Sequence, residues 1–323
     1  MDRRPARQGL RENLLSAEPS SSPTGGGSVV PPVIGITLGD PAGVGPEVVR
    51  AALASGRLDP RFEYRVIGSM EGAVPGQPTP DTARAAVEAL EEAALLAKTG
   101  EIAAVVTGPI HKANSQAVGF AFPGQTEFFA ARAGVDNFAM LLTGGALTVA
   151  LVTAHVPLRE VPGLLTAAEI ERVGSLLADF LLTRRGAQGG AVPVAIAGLN
   201  PHAGESGALG REEIEVIEPA AVQLARKWQG RVNFEGPISP DTLFFRAVAG
   251  EFDGVLCMYH DQGLIPLKLH AFDEGVNVTL GLPFVRTSPD HGTAYSIAGR
   301  GLARPGSMIA AIRLATELVE KSR

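Results

Sequence analysis

Short apolar segments of strand length recur along this chain, and longer amphipathic segments separate them. A strand that is apolar on both faces is typical of a parallel sheet covered by helices, because both of its faces are then buried. The clearest segments are VIGITL (33–38), IAAVVT (102–107), LTVALVT (147–153), VPVAIAGL (192–199) and GVLCMY (254–259). This alternation predicts an α/β fold with a mostly parallel sheet.

The longest helical segments lie between predicted strands. Residues 81–100 begin with Asp81, which we expect to cap the helix, and finish at Gly100, a residue type that commonly ends helices. Two further helices are expected over residues 166–184 and 211–228, where apolar side chains recur at helical spacing. Such helices are the crossover connections that parallel strands require.

The size and charge of the chain exclude several classes of protein. Its 323 residues can form two ordinary domains or one large α/β unit. A formal charge of −6 argues against a nucleic-acid partner, since binding many phosphates needs a basic surface. No segment has the roughly 20 apolar residues of a membrane span, and the one cysteine, Cys257, fits a reducing compartment. We therefore expect a cytoplasmic protein without a membrane partner.

Three of the six histidines stand within three residues of the carboxyl end of a predicted strand. They are His155 after 147–153, His202 after 192–199 and His260 after 254–259. If these strands are parallel and adjacent, their carboxyl ends bring the three imidazoles together, as in a site for zinc or a related divalent ion. Alternatively, each imidazole simply hydrogen-bonds the backbone of its own loop. His111 weakens the metal-site prediction, because it also follows a predicted strand. His270 and His291 follow no predicted strand and receive no role.

The segment GDPAGVGPE (39–47) joins a predicted strand to a predicted helix. Its glycines allow a tight turn, which either presents backbone amides to an anion or serves as a structural connection. The glycine pattern of dinucleotide-binding folds is not met, because Val48 stands where a third glycine or alanine belongs. The cofactor-binding residues therefore stay unassigned.

Polar residues suited to an anion occur in two places. Gln125 and Thr126 stand at the start of a helical segment, where Thr126 either caps the helix or contacts a ligand. Lys268, Asn277 and Arg286 are spread near the C-terminus. A lysine, an amide and a guanidinium suit a phosphate or carboxylate, although each alone also fits a solvated surface.

A series of motifs in order, over nearly the whole chain after residue 33, resembles one enzyme family. The motifs are GITLGDPAGVGPEV, VVTGPIHK, PGQTEFFA, TAHVPL, GLNPHAGESG, GPISPDTLF, MYHDQGLIPLK and GLPFVRTSPDHGTAYSIAG. The series resembles the 4-hydroxythreonine-4-phosphate dehydrogenase family of vitamin B6 (pyridoxal phosphate) biosynthesis. The resemblance implies a fold of two α/β/α domains, related to the isocitrate and isopropylmalate dehydrogenases.

The resemblance also implies an NAD(P)-dependent homodimer, with zinc, cobalt or magnesium at an active site shared between subunits. The implied metal ligands are His155, His202 and His260. The implied substrate-binding residues are Gln125, Thr126, Lys268, Asn277 and Arg286. Gln125 stands where the family usually has histidine, and glutamine can still donate a hydrogen bond to a phosphate but cannot shuttle a proton. Asp261, beside His260, is a candidate catalytic residue that orients a ligand or assists proton transfer.

The expected reaction is oxidation of 4-phosphooxy-L-threonine to a β-keto acid, which decarboxylates to 3-amino-2-oxopropyl phosphate. The main alternative is a related dehydrogenase of phosphorylated threonate or erythronate, and a metal-dependent hydrolase is a weaker one. We expect residues 1–30, which are rich in Ser, Pro and Gly, to be a disordered tail. Residues 31–135 with 290–323 would form a first α/β domain, and residues 136–289 a second that carries the metal ligands and the dimer interface.

Overall fold

The computed structural model describes residues 30–186 and 189–322. Its strands are β1 (Val33–Thr37), β2 (Glu63–Ile67), β3 (Ala104–Thr107), β4 (Ala139–Gly144), β5 (Leu147–Leu151), β6 (Val192–Ala197), β7 (Val232–Ile238), β8 (Gly254–Cys257), β9 (Val276–Leu280) and β10 (Val285–Pro289). Its α-helices are α1 (Gly45–Leu53), α2 (Pro80–Thr99), α3 (Lys112–Ala117), α4 (Gln125–Ala133), α5 (Val161–Leu164), α6 (Ala167–Arg185), α7 (Glu218–Lys227), α8 (Pro240–Val248), α9 (His260–Ala271) and α10 (Gly306–Lys321).

These ten strands form one continuous sheet in the order β2-β1-β3-β10-β9-β4-β5-β8-β6-β7. The strands β2, β1, β3 and β10 at one end are parallel to each other, and so are β5, β8, β6 and β7 at the other. Between them, β9 pairs antiparallel with β10 and β4, and β4 pairs antiparallel with β5. The predicted α/β class with a mostly parallel sheet is confirmed.

The five apolar segments predicted as strands form β1, β3, β5, β6 and β8. By contrast, β4, β7, β9 and β10 were not predicted. The strand β10 has the sequence VRTSP, whose polar residues suggest exposure, yet Arg286, Thr287 and Ser288 are all buried. A strand in the middle of a sheet is buried whatever its composition, so its polar groups need partners from other elements.

The helix α2 corrects one detail of the prediction. Its cap is Thr79 rather than Asp81: the Thr82 amide donates to the Thr79 hydroxyl, and the Thr79 amide donates to the Thr82 hydroxyl. Asp81 lies in the first turn, where its negative charge still favours the helix dipole. Gly100 ends the helix as predicted, in the left-handed conformation with φ of 78°.

Helices cover both faces of the sheet. The helices α1, α6, α7 and α10 pack in one large apolar cluster, while α2 and α4 form a second cluster, and α8 and α9 a third. Alternate strand residues reach opposite faces, so Val106 joins the first cluster and Val105 the second. The second and third clusters are separate, and a cavity lies between α4 and α9 over the strands in the middle of the sheet.

None of the helices in the described ranges combines the length and apolar character needed to cross a bilayer. The division into domains at 31–135 with 290–323 and at 136–289 stays a prediction. The tail expected over residues 1–30 lies outside the described residues, apart from residue 30.

Candidate active site

A cavity of about 350 Å³ opens between α4 and α9. Its walls come from the strands β4, β9 and β10, the first turns of α4 and α9, and the segments that follow β3, β5 and β10. Six of the nine residues predicted for the site line this cavity: Gln125, Thr126, His155, His260, Asn277 and Arg286. The cavity is therefore the candidate active site.

Two of the predicted metal ligands are neighbours in this cavity. His155 follows β5 and His260 begins α9 just after β8, and β5 and β8 are adjacent parallel strands. Their ring centroids are 5.5 Å apart. Burial lowers the pKa of His155, and the proximity of His260 lowers it further. His155 is thus held in the neutral form that binds metal ions.

The carboxylate of Asp261 holds the second of these rings. Asp261 Oδ1 lies 2.7 Å from His260 Nδ1, and since a carboxylate only accepts, that nitrogen carries the proton. In the neutral ring, the nitrogen that can bind a metal ion is then Nε2. A carboxylate that orients a histidine in this way is typical of metal sites, while the side chain of Asp261 is itself largely exposed, at 69%.

His202 lies apart from this pair. It is exposed and belongs to the segment Pro201–Gly207, which follows β6. Within the described ranges, no three metal-binding side chains lie close enough together to hold an ion. The strands β5, β8 and β6 are adjacent and parallel, as the prediction of a three-histidine site assumed. Within a single chain, however, only His155 and His260 lie close together.

Arg286 places a buried positive charge in the cavity wall. Its side chain is 3% exposed, and its guanidinium donates to the hydroxyls of Thr107 at 2.6 Å and Thr279 at 3.2 Å. The guanidinium carbon also lies 5.7 Å from the ring centroid of Phe129. Burial lowers the pKa of Arg286 to about 10, an effect that the negative charge of Glu127 opposes. The group therefore stays protonated at neutral pH without a carboxylate bonded to it in the described ranges.

Gln125 is bonded at both ends of its amide. Its Nε2 donates to the Gly108 carbonyl at 3.1 Å, and its Oε1 accepts from Arg286 Nη2 at 2.9 Å. The helix α4 begins at Gln125, so Thr126 lies inside the first turn and does not cap the helix, whose cap position is Gly124. Gln125 and Thr126, which were predicted to contact an anion, thus both lie in the first turn of α4, where they line the cavity.

The other predicted substrate-binding residues surround the same space. Thr126 is buried, with its hydroxyl 3.4 Å from that of Thr279. Asn277 extends from β9 into the cavity wall. Lys268, on α9, places its Nζ 2.9 Å from a carboxylate oxygen of Asp290, which lines the cavity. Lys268 therefore lies at the cavity through this ion pair.

The buried side-chain atoms that lack hydrogen-bond partners are concentrated here. In the part of the chain that the structure describes, there are four such atoms: Glu127 Oε2, Asn277 Oδ1, Arg286 Nε and His291 Nε2. All four residues line this one cavity. Buried polar groups in proteins are almost always bonded, so this concentration is typical of a site that binds a polar ligand.

Two residues of this group, Glu127 and His291, were not predicted for the site. His291 follows β10 as three other histidines follow their strands, but the polar residues of β10 hid this strand in the sequence. His111 and His270 have local roles: His111 Nδ1 accepts the Asn114 amide, and His270 Nε2 accepts the Ala146 amide.

The glycine loop over residues 39–47 is held by its own contacts. The buried carboxylate of Asp40 accepts the Ala42 amide at 3.0 Å and the Tyr295 hydroxyl at 2.6 Å. At Gly45 a Cβ would lie 1.9 Å from the carbonyl oxygen of Leu38, so only glycine fits. These contacts fit the interpretation of the loop as a structural turn, and the binding of an anion by its amides stays a prediction.

Most of this chain is similar to one family of known proteins, in sequence and in fold. The family model described as pyridoxal phosphate biosynthetic protein PdxA matches residues 50–315. A 4-hydroxythreonine-4-phosphate dehydrogenase from Desulfosudis oleivorans is 43% identical, over 88% of this chain and 96% of its own length. The solved 4-hydroxythreonine-4-phosphate dehydrogenase of Klebsiella pneumoniae is 34% identical with a TM-score of 0.75, covering 89% of this chain and 99% of its own. Isocitrate dehydrogenase from Methylococcus capsulatus, 17% identical with a TM-score of 0.52 over 90% of this chain and 86% of its own, shares the fold.

Proposed function

This chain belongs to the family of the pyridoxal phosphate biosynthetic protein PdxA, and we propose that its cavity between α4 and α9 binds 4-phosphooxy-L-threonine beside a divalent metal ion. As a member of that family it is a dehydrogenase of pyridoxal phosphate biosynthesis, which acts on a CH–OH group with a nicotinamide cofactor. Its substrate is a small phosphorylated molecule.

The observation that carries this proposal is the buried guanidinium of Arg286 in a cavity that also holds the pair His155 and His260. A buried charge is costly unless an opposite charge or hydrogen bonds compensate it, and among the described residues Arg286 Nε has no hydrogen-bond partner. A phosphate or carboxylate of the substrate would supply that partner with charge-assisted hydrogen bonds. Lys268, Asn277 and Thr126 would hold the rest of the anionic substrate.

The donor set suits a divalent ion. His155 is kept neutral by burial, and Asp261 leaves His260 Nε2 free to bind. Imidazole ligands favour zinc or cobalt over magnesium, which prefers oxygen. When bound, such an ion would lower the pKa of the substrate hydroxyl and stabilise the negative charge that decarboxylation leaves on the product. The chain's own residues would orient the substrate so that its hydroxyl loses a proton and the adjacent carbon loses a hydride to the nicotinamide. The resulting β-keto acid loses carbon dioxide, and protonation of the enolate gives 3-amino-2-oxopropyl phosphate.

We further propose a homodimer with the active site at the subunit interface, in which His202 of the partner subunit joins His155 and His260. The separation of His202 from this pair within one chain supports a ligand in trans. Large apolar side chains are exposed on α9, which lines the cavity, and on α8: Phe245 (79%), Ile265 (64%) and Leu269 (88%), followed by Phe272 (70%) just after α9. Exposed apolar surface of this kind marks a contact with another protein. We also propose a cytoplasmic location, where the buried thiol of Cys257 stays reduced.

The test is a panel of substrates with NADH absorbance as the readout. We expect metal-loaded enzyme to oxidise 4-phosphooxy-L-threonine in preference to 4-phosphothreonate and 4-phosphoerythronate. A clear preference for either of the last two would overturn the substrate assignment. Substrate consumption with no NADH formed would instead indicate a hydrolase.

A further inference from the structure

The segment that carries His202 has an unusual backbone. Residues 202–206 all have positive φ, from 43° at Glu205 to 77° at Gly204, and four of the five are not glycine. Left-handed conformations are disfavoured for L-residues because Cβ approaches the following carbonyl. A run of them persists only where the surrounding structure holds it, and such strain is concentrated at functional sites.

The buried carboxylate of Glu213 holds the start of this segment. Glu213 is 2% exposed, and its Oε1 accepts the backbone amides of Leu199 and Asn200, both at 2.7 Å. Its Oε2 accepts from the Asn200 side chain at 3.0 Å. In the described part of the chain no basic side chain forms an ion pair with it, so these N–H donors are what compensate its charge.

The turn itself packs against the same carboxylate. A Cβ at Gly204 would lie 2.6 Å from Glu213 Oε2, so this residue must be glycine for the turn to approach. Glu213 opens a π-helical turn, Glu213–Ile217, at the start of α7. π-Helical turns occur often at functional sites. One carboxylate therefore bonds to the residues that lead into the turn and packs against its middle at Gly204.

We propose that Glu213 is a positioning residue for His202: it holds the turn 200–206 in its left-handed form, and the turn presents the imidazole at the surface. This inference rests on the proposed role of His202 as a metal ligand. Asn200, bonded to Glu213, is separated from His202 only by Pro201, whose ring restricts the backbone between them. Loss of the carboxylate would release the turn, and His202 would have to be ordered again each time the metal binds.

The test measures the zinc affinity of the metal-free, full-length protein by competition with a chromogenic chelator. Glu213→Gln keeps the shape of the side chain but places an N–H donor opposite the Asn200 side chain. We expect it to weaken zinc binding by about 10- to 100-fold, as loss of groups that orient metal ligands does. The matched control is Glu215→Gln, on the same π-helical turn as Glu213. This substitution removes an exposed ion pair with Arg211. We expect its zinc affinity to change by less than about threefold, because surface ion pairs contribute little.

Two further variants separate the possible results. Gly204→Ala disturbs the same contact from the turn and leaves α7 intact, so it should weaken zinc binding even if Glu213→Gln fails to fold. In a His202→Ala background, Glu213→Gln should cause no additional loss, since it acts through His202. If Glu213→Gln and Gly204→Ala both bind zinc with wild-type affinity while His202→Ala binds it more weakly, the positioning role of Glu213 is wrong and His202 remains a metal ligand. Wild-type affinity in His202→Ala would overturn the proposed ligand itself.

Discussion

The side-chain oxygen of Gln125 accepts a hydrogen bond of 2.9 Å from Arg286, while its side-chain nitrogen donates to the Gly108 carbonyl. A guanidinium only donates and a carbonyl only accepts, so the orientation of the amide follows from its partners. Gln125 thus connects the segment after β3 to the buried cation of β10. The expected direct contact between Gln125 and a phosphate stays a prediction. Through its bond to Arg286, Gln125 would also affect the substrate indirectly, by positioning the guanidinium.

Replacing Gln125 with glutamate should weaken substrate binding. The new carboxylate would pair with Arg286 and neutralise the positive charge that we propose binds the substrate anion. It would also repel the Gly108 carbonyl. Charge-assisted hydrogen bonds contribute about 1.5–3 kcal/mol, so we expect KM to rise roughly 10- to 100-fold. Steady-state kinetics with NADH detection measures this, and Gln116→Glu on the exposed surface of α3 is the control. An unchanged KM would contradict the role of Arg286 as the anion site.

Replacing Arg286 with methionine should separate activity from stability. We expect kcat/KM to fall about 100-fold or more, because a buried charged hydrogen-bond partner of the substrate is lost. The melting temperature should stay the same or rise, since burying a cation without a carboxylate is costly and methionine fills similar space. Differential scanning calorimetry and kinetics on the same preparation check both. Arg65→Met, at an exposed ion pair on β2, is the control. A large loss of stability with unchanged kinetics would assign Arg286 a structural role only.

The lowered pKa of His155 predicts how stability depends on pH. In the unfolded chain this histidine binds a proton near its ordinary pKa of 6.5, whereas burial and His260 keep it neutral to lower pH in the folded state. Below pH 6.5 the unfolded state therefore binds more protons, and the free energy of unfolding falls as the pH falls. In His155→Gln this part of the decline should disappear. Denaturant unfolding of the metal-free protein at several pH values between 7.5 and about 5 measures the difference; parallel curves for both proteins would refute it.

Mixing two inactive variants tests the shared active site. If His202 acts in trans, a heterodimer of His155→Ala and His202→Ala contains one intact site and one site that lacks both ligands. Random exchange of subunits makes half of the dimers mixed, so roughly a quarter of wild-type activity should return. The readout is NADH formation after co-refolding, with each variant alone as its control. No recovery, in a mixture shown by mass to contain heterodimers, would place all three ligands on one chain.

Part of the site could be predicted from local sequence. His155, His202 and His260 each follow an apolar strand, and the strands β5, β8 and β6 are adjacent and parallel as assumed. His291 was missed because β10 carries polar residues, although it too follows a strand and lines the cavity. Glu127 was missed as a site residue because a glutamate in the first turn of a helix is ordinary, and only the folded structure shows that its Oε2 is buried in the cavity wall.

By itself, then, the sequence determined the α/β class, the main strands and the histidines at their ends, because apolar runs and helical spacing are local properties of the chain. The tertiary structure alone decided which polar residues meet. Arg286 bonds to Gln125 and Thr107, which precede it by 161 and 179 residues. The left-handed turn at His202 lies against the buried carboxylate of Glu213, from the following helical segment, which accepts the Asn200 amide just before the turn. Burial and hydrogen bonding between distant residues exist only once the sheet has formed, and they give the cavity its charge.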